Sequence, residues 1–152
     1  MPRTVTLDLK DLSATHALAA RLAALLRPGD AVLLEGPLGA GKSELARAVL
    51  RAAAGDPGLE VPSPTFTLVQ SYDLPAGAAH HFDLYRLDGP SGLHELGWEE
   101  ALEGIVLVEW PDRLGALAPA DALRIALEPG SEEDARTARL SGWDDRLKDL
   151  AA

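Results

Sequence analysis

Hydrophobic positions along the chain fall into short runs with two periods, and their alternation outlines the fold. Val5, Leu7 and Leu9 alternate with Thr4, Thr6 and Asp8, which predicts a half-buried strand at a sheet edge. Leu18, Leu22, Leu25 and Leu26 form a helical stripe behind Ser13, the expected N-cap, and Pro28-Gly29-Asp30 closes the segment. Ala31-Val32-Leu33-Leu34 is a compact apolar run. A second helical stripe, Leu45, Val49, Leu50 and Ala53, runs to about Ala54 and meets the breakers Gly55-Asp56-Pro57-Gly58. Strands are expected over 65–72 and 79–86 with a loop over 73–78 between them, and a short helix over 93–102 broken by Gly97. Ile105-Val106-Leu107-Val108 is continuously apolar, the signature of a strand buried on both faces, and it ends in Glu109-Trp110-Pro111. Strands over 122–127 and 137–140, an acidic turn between them and a short amphipathic tail complete the chain. The alternation predicts an α/β fold, and 152 residues suit one domain over 1–152.

Between the apolar run and the second helix lies Gly36-Pro37-Leu38-Gly39-Ala40-Gly41-Lys42-Ser43, a Gly, four residues, then Gly-Lys-Ser. Glycines let a backbone curl until successive N–H groups point at phosphate oxygens, and the following helix turns its positive end the same way. Lys42 is placed to bridge the outer phosphates, and the Ser43 hydroxyl to ligate a Mg²⁺ spanning the β- and γ-phosphate oxygens. Strand, loop, helix is the context such a motif requires, so Gly36 to Glu44 is the candidate nucleotide-binding segment.

Three further positions carry candidate chemistry. In Val61-Pro62-Ser63-Pro64-Thr65-Phe66-Thr67 the prolines hold the preceding residues extended, and Thr65 suits either a plain strand start or a ligand-sensing segment. Period 2 sets His81, Asp83 and Tyr85 on one face of a strand, where Asp83 is a direct or indirect Mg²⁺ group. Glu109 ends a buried strand, where open α/β sheets hold ligands, and a carboxylate there can orient water or hold Mg²⁺. Trp110 suits a pocket wall or the core. A transition-metal set of His80, His81, Asp83 and His94 is disfavoured, because adjacent histidines of a strand face opposite ways and no thiolate is present.

Composition narrows the function classes. A formal charge of −10 argues against gripping nucleic acid by the chain's own surface. The lysines are Lys10, Lys42 and Lys148, so an RNA connection is expected to run through a partner. Absence of cysteine excludes disulfides, thiolate catalysis and Cys-ligated zinc. With no secretory-type apolar core at the N-terminus and no run of 18 apolar residues, a cytoplasmic protein is expected.

Gly36 to Ser43, Ser63-Pro64-Thr65-Phe66, His81-Phe82-Asp83-Leu84-Tyr85-Arg86 and Glu109-Trp110-Pro111, in that order and spacing, resemble the TsaE (YjeE) family of small P-loop ATPases. The resemblance implies a P-loop NTPase-like mixed sheet flanked by helices and a role in forming N6-threonylcarbamoyladenosine in tRNAs that read codons beginning with A. It also implies ATP and Mg²⁺ as cofactors, TsaD and TsaB as partners, TsaC as supplier of the threonylcarbamoyl adenylate, and ATP hydrolysis that cycles or resets the complex. Carried over by position, Lys42 and Ser43 hold phosphates and Mg²⁺, and Thr65 belongs to a switch-like segment. Asp83 and Glu109 serve Mg²⁺ and the attacking water, and Trp110 lies beside the nucleotide. The family commonly has an acidic residue at the place of Pro37 and Thr-Thr at Ser43-Glu44. Pro37 removes one backbone donor from the loop. A small-molecule kinase is disfavoured by the absence of Lys or Arg between Arg51 and Arg86, and guanine specificity by the absence of an Asn-Lys-x-Asp element. A nucleotide sensor with incidental hydrolysis is the remaining alternative, and Arg86 and Arg113 are the candidate catalytic arginines in cis.

Overall fold

The computed structural model describes residues 3–64 and 66–151. A seven-stranded sheet has the order β1-β7-β6-β2-β5-β4-β3. Its centre is β2 (Ala31–Glu35), flanked by β5 (Ile105–Glu109) and β6 (Leu123–Pro129), both parallel to it. β4 (Gly77–Asp83) runs parallel to β5. β3 (Val69–Leu74) pairs antiparallel with β4 at one edge. At the other, β7 (Arg136–Ser141) pairs antiparallel with β6, and β1 (Thr4–Leu9) with β7. The sheet is mixed, and β1 is at an edge, as its alternating pattern predicts.

Period 2 in the buried strands divides their side chains between two cores. Val32, Leu34, Ile105 and Leu107 face α1 (Leu12–Leu25) and α2 (Lys42–Ala54), where Leu18, Leu22, Leu45 and Leu50 meet them. Ala31, Leu33, Val106 and Val108 face the opposite way, towards Phe82, Leu93, Trp98 and Leu114. Two regular helices cover the first face. The second is covered by 3₁₀ turns and the single-turn α3 (Trp98–Ala101), with Trp98 set edge-on to Phe82 at 5.1 Å between ring centroids. A last turn, α4 (Leu147–Leu150), packs Leu147 and Leu150 into the first core.

Several boundaries differ from expectation, each for a local reason. Asp11, not Ser13, caps α1: its extended backbone lets the carboxylate accept from Ala14 N at 2.9 Å. β3 starts at Val69 rather than near residue 65, because Leu68 takes a left-handed φ of 70° and its N–H returns to the Pro64 carbonyl at 2.6 Å. The expected loop over 73–78 is mostly strand, with Leu74 already paired to Gly77 across a tight turn. β4 ends at Asp83 rather than Arg86, since Leu87 N closes a turn onto the Leu84 carbonyl at 2.9 Å. The helix expected over 93–102 is a 3₁₀ turn, His94–Leu96, followed by α3, the two divided at Gly97 with φ 76°.

Candidate nucleotide-binding site

Because β2, β4, β5 and β6 are mutually parallel, the segments leaving their carboxyl ends open at one edge of the sheet. The loop from β2 to α2 is shaped by glycine at two contacts. A Cβ at Gly36 (φ 145°) would run into the Leu127 carbonyl of β6. One at Gly41 (φ 100°), the N-cap of α2, would collide with the Arg136 guanidinium. The backbone therefore passes where no side chain fits, and the first turn of α2, from its Gly41 cap to Glu44, lines the cavity.

Lys42 is 5 % exposed. Its ammonium donates to the carbonyls of Gly36 and Pro37 and lies 4.0 Å from the centre of the Trp110 ring. Pro37 has no N–H to offer, yet its carbonyl is used. Burial lowers the Lys42 pKa below the usual lysine value, and Glu109, Asp83 and Asp112 oppose that shift. The cation is thus held by loop carbonyls that a stronger anion can replace.

One residue on, Ser43 Oγ donates to Glu109 Oε1 at 2.7 Å. Glu109 Oε2 pairs with His81 Nε2, also at 2.7 Å, and both side chains are nearly inaccessible, 3 % and 2 % exposed. A carboxylate only accepts, so His81 donates from Nε2, and His81 Nδ1 is buried with no partner among the described residues. The register explains the triad. Asp83 and Glu109 are paired across β4 and β5, and His81 lies two residues before Asp83 on the same strand face. Asp83, buried at 5 %, accepts from Tyr85 N at 3.1 Å. That turn carries Tyr85 out of the strand and places its ring 5.0 Å from Trp110. Trp110 itself takes a left-handed φ of 61°, which swings its indole away from the β5 ladder and into the wall.

These groups enclose a cavity of about 420 Å³, with Leu38, Gly39, Gly41, Lys42, Ser43 and Glu44 on the loop side. Asp83, Tyr85, Glu109, Trp110 and Arg136 complete its wall. Sequence-predicted residues mostly converge here. Gly36 and Pro37 take part through their carbonyls, while Ala40 is 1 % exposed and packs into the core beneath the loop. Thr65 lies outside the described residues. The alternative metal set disperses: His80 Nδ1 bonds Ser71 Oγ at 2.8 Å, and His94 pairs with Glu99 at the surface. Neither expected arginine lines the cavity. Arg86 covers the Phe66 ring, and Arg113 lies 3.8 Å from Asp112. Arg136 does line it, and sequence reasoning missed it because the strand was expected to begin one residue later. The signal was an arginine in register with the inward-facing Ala138 and Leu140.

A strand, glycine loop and helix, with a lysine and a serine converging on strand-end carboxylates, define a phosphate-loop α/β protein. Residues 9–138 match the family model described as "Threonylcarbamoyl adenosine biosynthesis protein TsaE". The chain is 40 % identical over 123 residues to the tRNA threonylcarbamoyladenosine biosynthesis protein TsaE of Rickettsia felis, covering 80 % of this chain and 71 % of that one. It is 34 % identical to the Nostoc protein of the same name over 150 residues, 95 % of this chain and 90 % of the relative. The crystal structure of Bacillus subtilis YdiB superposes with a TM-score of 0.76 at 27 % identity, over 99 % of this chain and 93 % of that one. The chain belongs to the TsaE family of threonylcarbamoyl adenosine biosynthesis proteins.

Proposed function

We propose that the chain is a Mg²⁺-dependent ATP-binding and ATP-hydrolysing component of tRNA threonylcarbamoyladenosine synthesis, a cytoplasmic protein of one domain that acts with TsaB and TsaD to cycle or reset their complex. The observation that carries this reading is the Ser43–Glu109–His81 chain of hydrogen bonds, which fastens a strand-end carboxylate to the first helical turn of the phosphate loop. A hydroxyl and two carboxylates, from Ser43, Asp83 and Glu109, form the hard oxygen donor set that Mg²⁺ prefers, with phosphate oxygens and water completing it. Held by these groups, Mg²⁺ would supply charge neutralisation of the phosphates.

The protein's own groups divide the remaining work. N–H groups of Leu38, Gly39 and Gly41 to Ser43 cradle the phosphates, and Lys42 exchanges its carbonyl partners for phosphate oxygens. Glu109 exchanges Ser43 for the attacking water and orients it towards the γ-phosphorus, while His81 keeps the carboxylate aimed. Trp110, tilted against Tyr85, shields the site from bulk water. A tRNA surface is not needed on a chain of charge −10, so RNA is reached through the partners.

The test is Mg²⁺-dependent ATP hydrolysis by the chain alone and with TsaB and TsaD. Lys42→Ala serves as blank, and Glu109→Ala is expected to lower turnover by about 10²- to 10⁴-fold while still binding ATP. Stimulation by the pair that vanishes in Lys42→Ala supports the reading. Wild-type turnover by Glu109→Ala in the assembled complex would remove Glu109 from its role.

A further inference from the structure

Arg136 opens β7, where it pairs with Leu9 on one side and Pro129 on the other. Its strand alternates, so it shares a face with the buried Ala138 and Leu140 and points inward rather than to solvent. The side chain is only 11 % exposed. Its guanidinium lies against Gly41, at a point where even a methyl group on that residue would displace it. Among the described residues, its sole ion-pair partner is the half-exposed Asp134 at 4.0 Å, and Arg136 Nη1 is buried without a hydrogen-bond partner. A buried guanidinium with an unmet donor, facing a cavity built for phosphate, is an incomplete arrangement that an anion would complete.

The position of the charge indicates which part of the nucleotide it meets. Lys42 Nζ is bonded to the carbonyls of Gly36 and Pro37, at the start of the loop, and lies over Trp110. The Arg136 guanidinium instead stands against Gly41, at the end of the loop, and lines the cavity together with Glu44. Two cations therefore stand at opposite ends of one loop. In such loops the lysine reaches the outer phosphates and the backbone at the helix start cradles the inner ones. We propose that Arg136 is a second phosphate-binding group acting in cis, which grips the α- and β-phosphates across Gly41 and exchanges its loose contact with Asp134 for that grip. The role is one of ground-state affinity, shared by ATP and ADP, and distinct from an arginine that stabilises the γ-phosphoryl in flight. It rests on the nucleotide-binding reading of the loop.

Calorimetric titration with ADP and with ATP, on wild type, Arg136→Ala, Arg136→Lys and Lys42→Ala, tests it. Arg136→Ala is expected to weaken both nucleotides alike, by about 10- to 100-fold, with turnover at saturating ATP in the TsaB–TsaD complex changed less than about threefold. Arg136→Lys keeps the charge and stem but loses the planar fork, and should fall between the two. Its melting temperature, matched to wild type, shows that the fold is retained. Wild-type ADP affinity in Arg136→Ala would overturn the proposal alone. So would unchanged ADP affinity with a large loss of turnover, which would make Arg136 a γ-phosphate group. A wild-type chain that binds neither nucleotide would overturn this role and the ATPase reading together.

Discussion

Two antiparallel additions flank the parallel centre of the sheet, and they deliver opposite charges to one cavity. On one flank the β3–β4 hairpin positions Asp83 and, through the turn beyond it, Tyr85. On the other the β6–β7 hairpin positions Arg136 against the loop. Asp83 stands beside Glu109, whereas Arg136 stands against Gly41 at the start of α2. Under the proposed function the two hairpins split the work of the site, the acidic flank serving turnover and the basic flank serving affinity.

Asp83→Asn is the strongest way to break that division. It should cut turnover by roughly tenfold or more and raise the Mg²⁺ concentration needed for half-activity, while metal-free ADP affinity stays near wild type. An equal loss of ADP affinity would erase the distinction between the flanks.

A buried pair on the acidic flank contrasts in turn with an exposed pair of the same chemistry. His81 meets Glu109 at 2.7 Å with both side chains buried, and His94 meets Glu99 at 3.1 Å with 83 % and 57 % exposure. His81→Ala leaves a buried carboxylate with one partner fewer and should cost about 1–3 kcal/mol in denaturant unfolding. His94→Ala, where water replaces the lost partner, should leave the unfolding midpoint unchanged. Equal effects would mean that burial is not what gives the Glu109 pair its strength.

The smallest effect concerns Glu44 on the basic flank. Its carboxyl is held below the usual value of 4.5, first by the His16 hydrogen bond and then by Arg47 and Arg136. A depressed acid stabilises the fold above its unfolded pKa, and that contribution disappears as pH falls through the lower folded value. Unfolding followed between about pH 5 and 3 should therefore show a stability loss that His16→Ala makes shallower. A superimposable pH profile would detach His16 from Glu44.

The period of the hydrophobic pattern by itself determined the order of the main elements. Ala31 to Leu34 reads as a compact apolar run before the loop and Ile105 to Val108 as a strand buried on both faces, and they are the centre of the sheet. Gly36 to Ser43 read as a phosphate loop because glycine spacing is local chemistry. Glu109 was legible as a candidate because it ends a buried strand, and Asp83 because period 2 sets a carboxylate on one strand face with His81 and Tyr85. What remained illegible depended on contacts distant in sequence. The 3₁₀ covering of the second face arises where Phe82, Leu93 and Trp98 pack, not from helical periodicity. The bond from Ser43 to Glu109 spans 66 residues, and its partner His81 read as a strand position and a disfavoured metal ligand, not as a partner of Glu109, until β4 came to lie beside β5. Arg136 is the extreme case. Nothing adjacent to it suggests a ligand, and only the antiparallel return of β7 along β6 brings an inward-facing arginine onto Gly41. Local sterics and burial patterns write the elements into the chain, but which charges meet is decided by sheet register, a property of the assembled sheet alone.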